Sequence, residues 1–481
     1  MKLSRNARIL CIFWMGFFAM GACADNDAAL RFGDKESPSP VEPSDDDPPP
    51  VDPVDTQDPT DPTDPTDPTD PTDPTDPTDP TDPTDPTDPT DPTDPTDPTD
   101  PTDPTDPTDP TDPTDPVLPA DPPDWFDPQP PLSHSPYNEW RFIPVEGAVC
   151  ANGKQSGFFV NFSDQSDDVL IFLLGGGICY DEVSCGAHLG LVNDGMGDNP
   201  LAWWMGNGER TNGVFQRNNT LNPFRNASYV VLPHCTVDFH AANKESNYLV
   251  TGKIQQRGYR NIQLAMNHVV PTFQNPERTV TIAGFSAGGV GSYANYHQIA
   301  SAFEYYGHEP PFLINDGGPI QPRPYFSLNS HNAIRNGWRL DQTIETWCET
   351  CKDKGYHEAL YWIHQLHPGV RSSQICAYGD GVVMALYTLF DALGNAPRFQ
   401  IDFIFTPPFS YTHMKPGLDA LRTWSESFET DGMHRNLLYH RGDRHGALTV
   451  APIHNDHTPA IVPFLNAQFN RDDMHWFSPQ F

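Results

Sequence analysis

Thr279-Val-Thr-Ile-Ala-Gly-Phe-Ser-Ala-Gly-Gly-Val-Gly291 decides the fold. Its first residues are β-branched and suit a buried strand. The pattern breaks at Gly284-Phe285-Ser286-Ala287-Gly288, then resumes as Ser292-Tyr-Ala-Asn-Tyr-His-Gln-Ile-Ala-Ser-Ala-Phe303, which reads as helix. Strand, G-x-S-x-G, helix is the setting of a nucleophile elbow: the glycines permit a sharp turn and Ser286 stands at its apex. The N-terminus of the next helix favours developing negative charge.

The neighbouring segments supply a sheet around this strand. Residues 255–273 carry Tyr259, Ile262, Met266, Val269 and Val270 on one helical face and lead into it. Residues 169–174 form a continuous apolar run, as expected of a strand covered on both faces. Residues 229–232 read as a further strand, and 157–162 alternate as an edge strand. After the elbow, strands are expected at 311–316, 374–378 and 437–440, and a helix at 382–393. Residues 340–366 read as a helical insertion in the position of a lid or cap. Strand, crossover helix, strand, elbow, helix predicts an α/β-hydrolase-like, doubly wound, mostly parallel sheet.

A serine hydroxyl is inert at neutral pH without a base, and an imidazole needs a carboxylate to fix its tautomer. In α/β-hydrolases the chain order is Ser, acid, His. Asp316 ends the first strand after Ser286 and Asp380 ends the second, the usual site, so Asp380 is the expected acid and Asp316 the alternative. His445 comes after the last strand in Gly442-Asp-Arg-His445-Gly446 and is the expected base; His454 and His457 compete with it. Gly175-Gly176-Gly177 succeeds the 169–174 strand, where a turn without Cβ atoms lets backbone N–H groups approach a ligand. Gly176 or Gly177, together with Ala287, are the expected oxyanion donors. These groups suffice for acyl transfer from an ester to water, with no cofactor. Trp203-Trp204 reads either as a sugar-stacking pair or as packing. His234, Asp238 and His240 are too loosely spaced for a metal site and are expected to form a hydrogen-bonded loop.

Cys150-Ala-Asn-Gly, the Gly-Gly-Gly-Ile-Cys179…Cys185 loop, Asn222-Pro-Phe224, Val230-Val-Leu-Pro-His-Cys235-Thr-Val-Asp-Phe-His240 and Gly-Phe-Ser286-Ala-Gly-Gly together resemble the pectinacetylesterase family, which includes the Notum carboxylesterases. The resemblance covers roughly residues 144–467 and is strongest before residue 319. It implies a serine carboxylesterase and the disulfides Cys179–Cys185 and Cys150–Cys235. The family often has an acidic residue where this chain has Leu174, and Trp where it has Ile178. The expected substrate is an acyl ester, with acetyl groups on a polysaccharide as one candidate. The alternative is a catalytically silent, surface-tethered binding protein on the same fold, and measured turnover separates the two. Oligomeric state is left open.

Of the 481 residues, about 135–481 are expected to form this domain. Residues 1–23 read as a signal peptide: Lys2, Arg5 and Arg8 precede a short apolar run. Met20-Gly21-Ala22-Cys23 resembles the lipobox of bacterial lipoproteins, which implies lipidation of Cys23 and a membrane anchor in the cell envelope. An ordinary signal peptide would leave the protein secreted. Residues 24–134 are an acidic, Pro-rich linker that repeats Asp-Pro-Thr without interruption from 58 to 114. Proline at every third position forbids helix, and polyproline II would make an extended tether of about 170 Å. The linker holds 33 acidic residues against Arg31 and Lys35, so most of the net charge of −37 is local. The chain after His134 carries −9, and nothing in it suggests a nucleic-acid surface. Seven cysteines fall in the domain, an odd number; for Cys348-Glu-Thr-Cys351, zinc, a bridge to Cys376 and free thiols all stay open.

Overall fold

In a computed structural model the described residues are 121–207, 210, 213–394, 411–428, 434–439, 445–448 and 461–472. The segment with Cys23, the 58–114 repeat, His454 and His457 lie outside them. The strands are β1 (Arg141–Val149), β2 (Gln155–Asn161), β3 (Val169–Leu173), β4 (Ser228–Leu232), β5 (Lys244–Tyr248), β6 (Gly252–Gln256), β7 (Val280–Phe285), β8 (Phe312–Asp316), β9 (Ser372–Ala377) and β10 (His434–Tyr439). Eight of them form one sheet in the order β1-β2-β4-β3-β7-β8-β9-β10, and β5 and β6 pair separately. β1, β2 and β4 are joined antiparallel, and every pairing from β4 to β10 is parallel.

The elbow strand β7 therefore lies inside the sheet, and every residue of β3, β4, β7, β8 and β9 is buried. Side chains alternate between two apolar layers, as the two-residue strand period requires. Ile171 and Leu173 face the layer that holds Ile262, Met266 and Ile299, while Leu170 and Phe172 face the one that holds Trp204, Phe215 and Phe464. The first layer is built by helices Gly258–Thr272 and Ala287–Glu304, the second partly by Ile461–Phe469.

Several expectations need correction. The strand at 157–162 is not the edge: β1 covers it. Pro144 and Gly147 disguise β1 in the sequence, and the ladder shifts register between Pro144 and Val149, which an edge strand tolerates. Packing also begins inside the expected linker. Phe126 is buried in the first layer, Asp127 N–H donates to Asn267 Oδ1 (2.9 Å), and Leu132 N–H donates to Thr272 Oγ1 (2.9 Å). Cys179–Cys185 and Cys150–Cys235 are bridged, but Cys348 pairs with Cys351 and leaves Cys376 free and buried. Trp204 is fully buried against Trp140, Phe159 and Phe215 and is packing, whereas Trp203, stacked beside Phe159, is 38% exposed. The expected insertion begins earlier, with helix Leu328–Trp338, and its last helix, Glu358–Leu366, packs against Ala287–Glu304.

Burial depresses the pKa of His240, His297, His331, His357 and His364 to about 4 and of His434 to about 3. Desolvation is the largest cause in each case. The unfolded chain takes up protons below about 6.5 while these folded imidazoles do not. Their contribution is full above that pH and is lost as pH falls towards 4. Asp238 and Asp316, raised to about 6 by burial, act oppositely between 6 and 3.8, but they are two against six. The urea midpoint should fall steeply from pH 6.5 to 4, and His434→Gln should flatten the slope by about one proton. A midpoint that stays level between pH 7 and 5 would contradict this linkage.

Candidate active site

At Ser286 the backbone turns from β7 into helix Ala287–Glu304 with φ 56° and ψ −121°. This is a left-handed conformation that a non-glycine residue holds only where its surroundings enforce it. Neither flanking glycine has room for a methyl group. A Cβ on Gly284 would stand 1.9 Å from Gly288 O, and one on Gly288 would stand 1.9 Å from Leu173 O. Ser286 N–H donates to Asp316 O (2.8 Å), which fixes the elbow to β8.

The glycine turn after β3 passes beside this corner. A Cβ on Gly175 would lie 3.0 Å from Ser286 Cβ, and one on Gly176 would lie 2.8 Å from His234 Nδ1. Gly175, to which the sequence pattern assigns no role, thus comes close to the serine side chain; only its place at the head of the glycine run signals this. Disulfide Cys179–Cys185 closes the chain just beyond Gly177. His234 Nε2 accepts from the N–H groups of Asp238 (3.2 Å) and Phe239 (3.0 Å), so the ring proton belongs on Nδ1. Asp238 accepts from Thr236 Oγ1 (2.6 Å), His240 N (3.1 Å) and Gly258 N (2.8 Å), and His240 Nε2 lies 3.0 Å from Leu174 O. The His-Asp-His set is therefore occupied in holding its loop. Among the described residues no group of three metal-ligating side chains converges.

Asp380 lies just past β9 and is fully buried. Its carboxylate lies 2.8 and 3.0 Å from His445 Nδ1 and accepts from Val382 N (3.1 Å) and Val383 N (3.0 Å) in the first turn of helix Gly381–Gly394. With Nδ1–H donated to Asp380, Nε2 of His445 is left as an acceptor. Nε2 is buried and has no hydrogen-bond partner among the described residues. Asp316 does not make this contact. Its carboxylate accepts from Ala447 N (2.8 and 3.0 Å) and Leu448 N (2.7 Å), and burial pushes its pKa up to about 6.

Ser286, Ala287 and His445 line one cavity, and its remaining wall is almost wholly apolar: Phe239, Val290, Ile334, Trp338, Leu340 and Ile344 all face it. Its volume is ≈ 50 Å³. Gly176 and Gly177 are not among the residues that line it. A hydroxyl at a strained corner, a carboxylate-oriented imidazole and an apolar slot form an arrangement suited to acyl transfer.

Residues 141–310 match the family model described as pectinacetylesterase. The chain is 27% identical over 167 residues to palmitoleoyl-protein carboxylesterase notum2 of Xenopus laevis, covering 34% of this chain and 32% of that protein. With palmitoleoyl-protein carboxylesterase notum1' of Xenopus laevis it shares 22% identity over 245 residues, 47% of this chain and 48% of that one. The matches thus span about a third and about half of those relatives' lengths. The solved structure of the Wnt deacylase Notum from Drosophila superimposes with a TM-score of 0.50 at 16% identity, over 71% of this chain and 95% of that chain. At that identity the likeness speaks for the fold. The resemblance read from the motifs and the α/β-hydrolase-like sheet are both borne out.

Proposed function

We propose that this pectinacetylesterase-type domain is a serine carboxylesterase that takes the acyl group of its substrate into the apolar cavity. The observation that carries the reading is that Ser286, at its strained elbow, and His445, held by Asp380, line the same cavity. Ser286 Oγ attacks the ester carbonyl carbon while its proton passes to His445 Nε2. The oxyanion is received by Ala287 N–H and the Gly176–Gly177 turn, each donor contributing about 3 kcal/mol. The tetrahedral adduct collapses, the C–O bond to the alcohol breaks, and His445 returns the proton to the leaving oxygen. Water, deprotonated by His445, then attacks the acyl-serine carbonyl; the bond to Ser286 Oγ breaks, His445 returns the proton to Oγ, and the acid departs.

A cavity of ≈ 50 Å³ is well short of the roughly 150 Å³ of an apolar cavity that takes up benzene, so a short acyl chain is the occupant it suits. On a panel of acetyl, butyryl, octanoyl and palmitoyl esters, kcat/KM should be highest for acetyl or butyryl and fall by about tenfold or more at octanoyl, since each misfitting methylene costs about 1–3 kcal/mol. A preference for long chains would sink the short-acyl reading and leave the esterase reading standing. Acetylated pectin and xylan belong in the same panel, because acyl groups on a polysaccharide are the natural short esters outside a cell.

The chain is further read as exported and held at a bacterial membrane through Cys23, with the Asp-Pro-Thr repeat as a tether. The basic and apolar residues of 1–23, the Cys23 motif and three disulfides support this. Cys23→Ser should abolish incorporation of labelled fatty acid; undiminished labelling refutes the anchor.

A further inference from the structure

The mechanism leaves one buried carboxylate beside the site without a part, that of Asp316. It closes β8, and both of its ends are engaged. Its backbone oxygen accepts the N–H of Ser286 at 2.8 Å. Its carboxylate accepts the N–H groups of Ala447 (2.8 Å) and Leu448 (2.7 Å), two and three residues after His445. One residue therefore grips the nucleophile's own amide and the loop that carries the base.

The surroundings leave that loop little slack. A Cβ on Gly446, where φ is +78°, would stand 2.1 Å from the Phe285 ring. Gly317, at φ +66°, has Gly446 N and His445 Cε1 within 3.4–3.6 Å of its Cβ position. Asp380 orients the imidazole ring through Nδ1, the nitrogen that does not serve Ser286. Asp316 ties the chain beyond His445 to the elbow. A fully enclosed carboxylate is costly unless its hydrogen bonds offset the desolvation, and this one is directed at loop amides rather than at an imidazole or a substrate.

We propose that Asp316 is a positioning residue that sets the Ser286–His445 separation, holding the elbow through its main chain and the base loop through its carboxylate. The proposal rests on the reading of Ser286 and His445 as nucleophile and base. It assigns Asp316 no proton transfer and no contact with substrate.

The test compares Asp316→Ala, Asp316→Asn and Ser286→Ala in the full chain on a soluble butyryl ester, with rates normalised to folded protein. A displacement of about 1 Å costs on the order of 100-fold in rate, so Asp316→Ala should lower kcat about 100-fold with KM unchanged. Asn retains one acceptor oxygen for the two loop amides and should recover to within about tenfold of the parent. Wild-type kcat per folded molecule in Asp316→Ala would overturn the proposal, as would equal losses in Ala and Asn. If the Ala variant does not fold, Asp316→Asn decides: a several-fold fall in kcat at constant KM supports positioning, and unchanged kcat overturns it. Ser286→Ala keeps the two failures apart, since turnover surviving that change condemns the underlying reading rather than the role of Asp316.

Discussion

Ser286→Ala is expected to lower kcat by at least about 10⁴-fold while leaving the fold intact, because removing the nucleophile from a triad leaves only oxyanion and binding contributions. The elbow geometry belongs to the backbone: Gly284, Gly288 and the Ser286 N–H bond to Asp316 O set it, and alanine keeps all three. Loss of turnover should therefore come without loss of stability. A fluorophosphonate probe reports the same event directly, since it forms a bond only with an activated hydroxyl. Labelling that persists at the parent rate in the variant would remove Ser286 from the chemistry, and the enzyme reading with it.

Asp380→Asn should be nearly as damaging, about 10⁴-fold in kcat, the size seen when the orienting carboxylate of such a triad becomes an amide. The reason is the tautomer. The carboxylate can only accept from His445 Nδ1–H, at 2.8 and 3.0 Å. An amide nitrogen placed there donates instead, which moves the ring proton to Nε2 and removes the acceptor that Ser286 needs. The amide oxygen can still accept from Val382 N and Val383 N, so the start of helix Gly381–Gly394 survives. Steady-state kinetics with a thermal melt separate these effects. Near-parent kcat in Asp380→Asn, with a dead Asp316→Asn, would transfer the acid's role to Asp316.

Much of the site was legible because its parts are local in sequence. The elbow announces itself by β-branched residues running into glycines. Asp380 was singled out by counting strands, a count made possible because 311–316 and 374–378 are unbroken apolar or β-prone runs, and the fold sets it against His445. The features that escaped depended on distant partners. Pro144 and Gly147 hid β1, whose pairing with β2 makes it a strand. Trp125 and Phe126 sit among prolines and aspartates, and nothing near them shows that Tyr305 and Tyr306, far along the chain, complete the packing of Phe126. The Cys348–Cys351 bridge was missed because three thiols allow several pairings and only the fold chooses one. Asp316 offered a carboxylate at a strand end, the same local signal as Asp380. Which loop returns to it is a matter of topology alone.

The crowding of Gly284 and Gly288 against Leu173 and each other has a consequence for divergence. Sequence drift has no latitude at the corner that bears the hydroxyl, where a single methyl group collides. Much of the slot's wall, by contrast, comes from 328–346 and 382–387, whose side chains contribute neither nucleophile nor acid. Descendants of such a chain can exchange one acyl preference for another by rewriting those segments, and inherit the reactive corner unaltered.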